Sequence, residues 1–352
     1  MSYKTVMMEP HHRPMVRDLW QENLQGIGSS GRLDERLAWL YDRSPDGPAV
    51  TALVLSGDDP TPVACGTVLP RRVLVKGSEV LAGIPIDFAV SKRHRIGGAA
   101  LMLQRRLAAL VDEGRFAFLL AYPNKLALPV FQRIGYKKVG DAQAWVKPLR
   151  AGYKLRRYLR NPVLTAVAAV PANGLMAAID RVRCRSRVSV RRETQKTADE
   201  RFDSLWGGAA ANFPLTTVRS SAYLNWRYAG FTTMEYQLFT ATDPASGALV
   251  GYVAYSTDGP KASVADLFAR TTAEAFEVVL PAFVQQMRRR RADTVFFAYV
   301  GGDEVAAHLK RLGFFYRPDN PRALLAYVGA GKEDDFVLHA TNWFATDGEV
   351  DI

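Results

Sequence analysis

A basic, glycine-containing segment in the first third of the chain reads VSKRHRIGGAA from Val90 to Ala100. The residues before it predict a strand over 81–90, and an apolar face after it predicts a helix over 99–111. Free N–H groups and the positive end of the dipole make a helix start favourable for a phosphate. Two glycines leave space for that group and three basic residues supply charge: Gly97, Gly98, Lys92, Arg93 and Arg95. The segment therefore predicts a pyrophosphate-binding turn, with a solvated basic turn as the alternative.

A second motif follows the next apolar run. Residues 116–121 predict a buried strand, Tyr122-Pro-Asn124 comes directly after it, and 125–134 predict a short helix ending at Gly135. Together with Arg95-Ile-Gly-Gly98-Ala-Ala100, this pattern resembles the GNAT superfamily of acyl-CoA-dependent N-acyltransferases. The resemblance covers roughly residues 1–150 through both motifs, and 193–330 only through an internal repeat.

That repeat consists of four short matches in the same order. Trp39-Leu-Tyr41 pairs with Trp226-Arg-Tyr228, and Gly66 with Gly251; Asp87 pairs with Asp266, and Gly135-Tyr136 with Gly313-Phe314. We therefore expect a mixed α/β fold (an α+β mixed sheet) of two tandem GNAT-like domains. The predicted division is an acyl-CoA-binding domain over 1–150, a basic linker over 151–192, and a degenerate GNAT-like domain over 193–352 that shapes the acceptor site.

Periodicity also predicts the individual elements of both halves. The first half should contain a helix over 14–24 and strands over 51–55, 63–70 and 73–75. The second half should contain strands over 237–240, 249–255, 263–269 and 294–299, with helices over 273–290 and 303–312.

The resemblance implies a splayed pair of strands, ending near Val90 and Ala121, that holds the pantetheine arm between them. It further implies that the N–H of Ala89 or Val90 stabilises the oxyanion. The co-substrate would be acyl-CoA, or an acyl-carrier protein with the same arm, and no metal is expected. The implied cofactor-binding residues are Phe88, Ala89, Val90, Arg95, Ile96, Gly97, Gly98, Ala99, Ala100, Asn124 and Phe131.

Two departures from the family pattern concern the catalytic residues. Where the family often places a Tyr that protonates the thiolate, this chain has Phe131, so Tyr122 or water must serve instead. Asp87 lies on the strand leading to the loop and is a candidate base for the incoming amine. Because Asp266 is its counterpart in a half that lacks the loop, the alternative is a structural role in which Asp87 satisfies backbone groups or a neighbouring Arg.

The positive charge of the chain is concentrated in its middle. The net charge is +11, and between Arg150 and Arg192 there are eleven basic residues and a single acid, Asp180. Within this stretch, residues 154–187 have an apolar centre flanked by arginines, which is typical of a segment lying on an anionic membrane surface. The alternative is a linker helix with solvated arginines. Few aromatic residues interrupt the segment, so nucleic acid is not an expected partner.

The function expected from these observations is transfer of an acyl group to an amine, preferably a lipid or long-chain amine such as a sphingoid base. The alternatives are acetylation of an amino-sugar precursor of surface polysaccharide and a non-catalytic acyl-CoA-binding protein. The chain shows no signal sequence and has only Cys65 and Cys184. A cytoplasmic protein is therefore expected. If the basic segment lies on a membrane, the protein would be peripheral on the inner face of that membrane.

Overall fold

The computed structural model describes residues 2–23, 30–57, 59–96, 98–152, 155, 161–186, 188–230, 234–331 and 335–349. Contacts between residues divide the chain into two compact units. Unit 1 comprises Met1–Asp141, Leu215–Val218 and Arg322–Ala340. Unit 2 comprises Ala142–Pro214, Arg219–Pro321 and Thr341–Ile352. Both units combine a mixed sheet with helices, so the predicted mixed α/β class is confirmed.

Unit 1 is a sheet with its helices. Its strands β1 to β5 are Tyr3–Met7, Val50–Ser56, Pro62–Val75, Ser78–Val90 and Leu119–Ala121. Its helices α1 to α4 are Arg13–Asn23, Ser30–Leu37, Ala99–Asp112 and Leu128–Ile134. The first four strands form an antiparallel meander, and β5 joins β4 in parallel. The apolar face of α3 packs on the sheet, where Leu103 and Leu107 lie over Gly66.

Two sequence predictions in unit 1 need correction. Strand β3 is continuous over Pro62–Val75, whereas separate strands were predicted over 63–70 and 73–75. Arg71, which lies between the two predicted strands, is buried in an ion pair, so the strand continues through it. Strand β5 covers only Leu119–Ala121. Residues 117 and 118 still form hydrogen bonds with β4. The Ala117 N–H donates to the Leu81 carbonyl, and the Phe118 carbonyl accepts from the Gly83 N–H.

Unit 2 has the same kind of architecture. Its strands are β6 (Lys137–Pro148, from Ala142 onward), β7 (Arg191–Gln195), β9 (Tyr236–Thr242), β10 (Leu249–Asp258), β11 (Lys261–Ala269), β12 (Thr294–Gly301) and β14 (Phe344–Thr346). Their order is β6-β12-β11-β10-β9-β7, and β14 also pairs with β12. The helices are α5 (Pro162–Arg183), α6 (Glu200–Ala209), α7 (Ser221–Leu224), α8 (Thr272–Glu274), α9 (Leu280–Arg289) and α10 (Asp303–Arg311). A π turn over Ala275–Val279 joins α8 to α9, so the predicted helix over 273–290 is present.

Each unit contains strands from outside its main stretch of chain. Strand β13 (Phe315–Tyr327) ends in unit 1, where Leu325–Tyr327 pair with β5. Strand β6 pairs with β12 in unit 2. The short strand β8 (Leu215–Thr217) pairs with β3 in unit 1. The compact units therefore do not follow a cut at residue 150, and that position lies inside unit 2.

A buried ion pair fixes one of these returning segments. Arg71 donates to Asp46 over 3.0 Å and to the Val218 carbonyl over 2.8 Å, and both charged side chains are only 1% exposed. Asp46 also accepts from Arg72, whose side chain is 39% exposed. Burial alone would raise the pKa of Asp46, but Arg71 and Arg72 outweigh burial and lower that pKa.

We expect Arg71→Met to destabilise the protein by about 3–5 kcal/mol, because it leaves a buried carboxylate without its main partner. The matched control is Arg72→Met, which removes an exposed partner of the same carboxylate and should cost about 1 kcal/mol or less. Urea denaturation measures both. Because the pKa of Asp46 is lower in the folded protein than in the unfolded chain, its contribution to stability should be complete above the unfolded pKa of about 3.9 and decline as the pH falls below that value. Equal losses in the two variants would contradict this assignment.

Candidate functional site

The strands β4 and β5 of unit 1 are paired only near their starts. Among the described residues, the ladder between them consists of Gly83 opposite Leu119, extended by the bonds of residues 81 and 83 with 117 and 118. Beyond this point β4 runs on to Val90 and β5 to Ala121 without a ladder pair between them. This is the splayed pair of strands that the family resemblance predicts.

Strand β4 carries a bulge on the splayed side of Gly83. Cys65 lies opposite Ala89 and Thr67 opposite Ile86, so Asp87 and Phe88 together face the single residue Gly66. The backbone of Asp87 is left-handed, with φ of 51°, a conformation that is strained for a residue with a side chain. A bulge re-aims the strand that follows it, here Phe88–Val90.

The side chain of Asp87 explains how this strained backbone is held. Its carboxylate accepts two bonds from Arg36, over 2.8 and 2.9 Å, and one from the Tyr41 hydroxyl over 2.7 Å. Burial alone would lower the pKa of Arg36, but Asp87 outweighs burial and raises it. Burial, reinforced by Asp87, raises the pKa of Tyr41. Of the two roles considered for Asp87, the geometry matches that of a partner for a neighbouring Arg.

Backbone polarity alternates along the end of β4. The Ser91 N–H donates to the Val63 carbonyl on β3, over 2.9 Å. Because successive residues of a strand point their backbone groups to opposite edges, Val90 must point away from β3, towards the splay. The Val90 carbonyl indeed accepts from Arg95 Nε over 3.3 Å. Of the two predicted oxyanion donors, the Val90 N–H therefore faces the splay, whereas Ala89 lies opposite Cys65 on β3.

The loop after β4 leads into the start of α3. Lys92–His94 form one 3₁₀ turn, Ile96 is fully exposed, and Gly98 has a left-handed φ of 88° immediately before the helix. No side chain caps the helix at Gly98, and a Cβ there would meet nothing within 4 Å. At the helix start Ala99 is buried and Ala100 is half-buried. Because Gly98 has no side chain, it provides no side-chain cap for the first backbone N–H groups of α3. Gly97 lies outside the described residues.

The residues of the second motif have distinct environments. Tyr122 is half-buried directly after β5. Asn124 is exposed, and its Oδ1 accepts from the N–H groups of Leu126 and Ala127, over 3.0 and 2.9 Å, ahead of α4. Phe131 is 4% exposed and packs edge-to-face against Phe88 and Tyr136. The Phe131 ring therefore belongs to the core of unit 1 and borders the bulge through Phe88.

Unit 2 has a counterpart of this arrangement with a different helix start. Asp266 on β11 accepts from Arg219 Nε, over 3.2 and 3.1 Å, and from the Tyr252 hydroxyl over 2.6 Å. In the loop that follows, Thr271 accepts from the Glu274 N–H over 3.1 Å and thereby caps α8. Glu274 places a carboxylate in the same turn, paired with Arg270. The helix start in unit 2 is thus occupied by its own side chains.

The splay in unit 2 is filled by the chain itself. β12 pairs with β6 along one edge, from Thr294 to Tyr299. Along the other edge it pairs with β11 as far as Phe297, and then with β14 from Tyr299 to Gly301. β14 therefore lies where β11 and β12 separate.

Side chains of the tail also bind the Asp266 cluster. The Thr346 hydroxyl on β14 donates to Asp266 over 2.8 Å, and Glu349, just after β14, accepts from Arg219 over 3.1 Å.

Sequence reasoning found the loop, the bulge carboxylate and its counterpart, but it missed Arg36, Arg219 and the C-terminal strand. In the sequence, Tyr41 stands out only as part of the motif Trp-Leu-Tyr, which recurs as Trp-Arg-Tyr, and this repeat is the available signal for the Asp87 network. Arg36 and Arg219 sit at unequal distances from their repeated Trp residues, so the repeat could not reveal them. In the described part of the chain, no group of three or more His, Cys, Asp or Glu side chains could hold a metal ion.

Comparison with solved structures identifies the fold. A probable N-acyltransferase from Enterococcus faecalis matches over 93% of this chain and 72% of its own, with a TM-score of 0.65 and 12% identity. A GCN5-related N-acetyltransferase from Anabaena variabilis matches over 93% and 73%, with a TM-score of 0.65 and 13% identity. N-myristoyltransferase from Saccharomyces cerevisiae, solved with myristoyl-CoA, matches over 97% and 89%, with a TM-score of 0.52 and 13% identity. No family model and no curated protein sequence matches the chain. The chain has the GNAT fold.

The tail of unit 2 provides a test of this packing. A Cβ at Gly348 would lie 2.1 Å from the Tyr228 hydroxyl and 2.9 Å from the Ala265 carbonyl. We expect Gly348→Ala to cost about 1–3 kcal/mol and to make the tail after Thr341 more sensitive to protease. The control is Gly302→Ala, where the nearest atom would be 3.8 Å away and little change is expected. Denaturation and limited proteolysis measure both effects, and an unchanged tail in Gly348→Ala would refute the packing.

Proposed function

We propose that unit 1 binds acyl-CoA and transfers its acyl group to an amine. The observation that carries this proposal is the splay of β4 and β5 beside the uncapped start of α3. An extended pantetheine arm can add to the open edge of β4 in the manner of a further strand. The pyrophosphate would then meet the N–H groups of residues 99 and 100, with Arg95 and the exposed backbone at Ile96 and Gly98 around it.

Acyl transfer requires stabilisation of a tetrahedral oxyanion. In this proposal the Val90 N–H donates to the oxyanion, because it faces the splay where the thioester carbonyl would lie. Phe88 and Ala89 set the position of that donor from the bulge. Asp87 acts as a positioning residue, since its carboxylate already binds Arg36 and Tyr41.

The remaining chemistry is proton transfer. The attacking amine must lose a proton and the CoA thiolate must gain one. Tyr122 is the proposed acid, because it follows β5 at the splay and is only half-buried. Phe131 lacks a hydroxyl and is buried, so it supports the site by packing against Phe88. Asn124 holds the turn into α4 that borders the site.

Donor binding can be tested by thermal stabilisation with CoA, acetyl-CoA and palmitoyl-CoA. A ligand at about a hundredfold excess over its Kd should add ~2.7 kcal/mol to the stability of the folded protein. Gly98→Asp should abolish this gain, because it places a carboxylate where the pyrophosphate would bind. Gly114→Asp is the matched control: Gly114 also has a left-handed φ, of 78°, and open space, but it lies at the other end of α3. Loss of stabilisation in both variants, or in neither, would refute the proposed site.

The choice of donor indicates the acceptor class. Stronger stabilisation by palmitoyl-CoA than by acetyl-CoA supports acylation of a lipid or long-chain amine. Stronger stabilisation by acetyl-CoA supports acetylation of an amino sugar. Release of the CoA thiol on adding an amine distinguishes catalysis from binding. The engagement of Asp87 and the absence of a hydroxyl at Phe131 favour a non-catalytic acyl-CoA-binding protein as the second candidate. Thermal stabilisation by acyl-CoA, with no release of the CoA thiol for any class of amine, would select this non-catalytic candidate.

We further propose that the preferred acceptor is a lipid amine at an anionic membrane surface. The support is α5, which exposes three apolar side chains at helical spacing: Leu175 (64% exposed), Ile179 (39%) and Val182 (78%). Arg181 and Arg183 are exposed beside them. No helix in the described ranges is long and apolar enough to cross a membrane. The predicted basic residues Lys154, Arg156, Arg157, Arg160 and Arg187 lie outside the described residues.

The double variant Leu175→Asp and Val182→Asp should lower binding to vesicles that contain anionic phospholipid by about tenfold or more, since it places two charges on the apolar face. Vesicle flotation measures this binding. Met234→Asp, at a residue that is 51% exposed elsewhere in unit 2, controls for added negative charge. Unchanged binding in the double variant would contradict membrane contact through α5, while leaving the acyl-CoA proposal in place.

A further inference from the structure

A cavity in unit 2 lies between α5 and α9, and none of its lining residues is assigned to the acyl-CoA site. Its volume is about 460 Å³, within the range of small-molecule sites. Five arginines line it: Arg181, Arg185, Arg192, Arg288 and Arg289. The rest of the lining includes small apolar side chains such as Ala177, Val278 and Ala282.

The positive charge of this cavity is not balanced by its one carboxylate. Asp180 binds Lys147 over 2.7 Å, and it also pairs with Arg288. Asp180 is already bound to two cations, and the described lining residues offer the other arginines of the cavity no further carboxylate. Burial first, and the neighbouring Arg289 second, lower the pKa of Arg192. Like charges are therefore held close together around one space.

Two buried donors in the cavity lack a partner. Arg192 Nη1 and Arg288 Nε are buried and make no hydrogen bond in the described structure. The guanidinium of Arg192 is nevertheless fixed, because its Nη2 donates to Gln285 Oε1 over 2.8 Å. Gln285 is held in turn by its bond to the Cys184 carbonyl, over 2.9 Å. Leaving a buried charged donor unsatisfied is costly, and a bound anion would remove that cost.

We propose that this cavity binds the phosphate group of a phosphorylated ligand. Arg192 and Arg288 supply fixed donors for the phosphate oxygens, and Arg289 adds charge at the mouth. Guanidinium groups suit phosphate because they present several N–H donors in one plane. The apolar wall at Ala177, Val278 and Ala282 suits an uncharged portion of the ligand. The phosphate can come from a soluble metabolite or from a phospholipid head group, and both would be recognised by the same contacts.

Calorimetric titration of the full chain tests the site with three probes: inorganic phosphate, glycerol 3-phosphate and dihexanoyl phosphatidate below its micellar concentration. Binding of at least one probe is expected at concentrations up to about 10 mM. Arg192→Gln should weaken that binding by about tenfold or more. The control is Arg191→Gln, since Arg191 is the adjacent residue, is 71% exposed and pairs with Glu193. Glycerol 3-phosphate binding tighter than phosphatidate would indicate a soluble ligand, and the reverse a lipid head group.

A second variant keeps the proposal testable if Arg192→Gln does not fold. Arg289 is exposed at the cavity, so Arg289→Gln should fold normally and weaken binding several-fold. The Gly98→Asp variant should retain phosphate binding, which separates this site from the acyl-CoA proposal. Absence of binding by all three probes to the unchanged chain would overturn the inference. Equal weakening in Arg191→Gln, or an equal signal from sodium chloride at matched ionic strength, would also overturn it.

Discussion

The bidentate ion pair between Arg36 and Asp87 is the interaction on which the candidate site depends. It holds a residue with a side chain in a left-handed conformation, and this conformation creates the bulge opposite Gly66. The bulge sets which backbone groups of β4 face the gap beside β5. Strain of this kind persists only where the surroundings enforce it, and here a salt bridge and the Tyr41 hydroxyl do so. The carboxylate that looks like a base in the sequence is thus already engaged in shaping the backbone.

The two units show how the same local chemistry supports opposite outcomes. Both have an aspartate on the strand before the helix, bound by a buried or half-buried arginine and a tyrosine. They differ in the residues at the helix start. Gly98 has no side chain with which to cap α3 and leaves its N–H groups open to an anion. In unit 2 the Thr271 side chain accepts from the Glu274 N–H, and the Glu274 carboxylate adds negative charge to the same turn. A few residues at a turn therefore separate a candidate phosphate site from a closed one.

Much of the fold could be predicted from local patterns. The helices α1, α3 and α10 and the strands β2, β9 and β12 follow apolar periodicity, and Gly114 and Gly135 end their helices in left-handed conformations. No local pattern indicates which sheet a strand joins. It therefore could not be predicted that β6 pairs with β12 in unit 2 and that the end of β13 pairs with β5 in unit 1. Burial of Arg71 was also unpredictable, since its partners Asp46 and Val218 lie far from it in sequence. The Asp87 network brings the segment with Arg36 and Tyr41 against a strand that lies far from it in sequence. The repeat included Tyr41 and Asp87 but gave no signal for Arg36.

The strand β14 has a further consequence for ligand competition. Since β14 belongs to the same chain as the gap it fills, it competes as a tethered ligand with a local concentration in the millimolar range. A free acyl-CoA in micromolar amounts would have to bind a thousandfold more tightly than the tail to displace it. The gap between β11 and β12 is therefore closed to an acyl-CoA without any change in those strands. Occupancy by the tail is enough, and it makes β14 a buried part of unit 2.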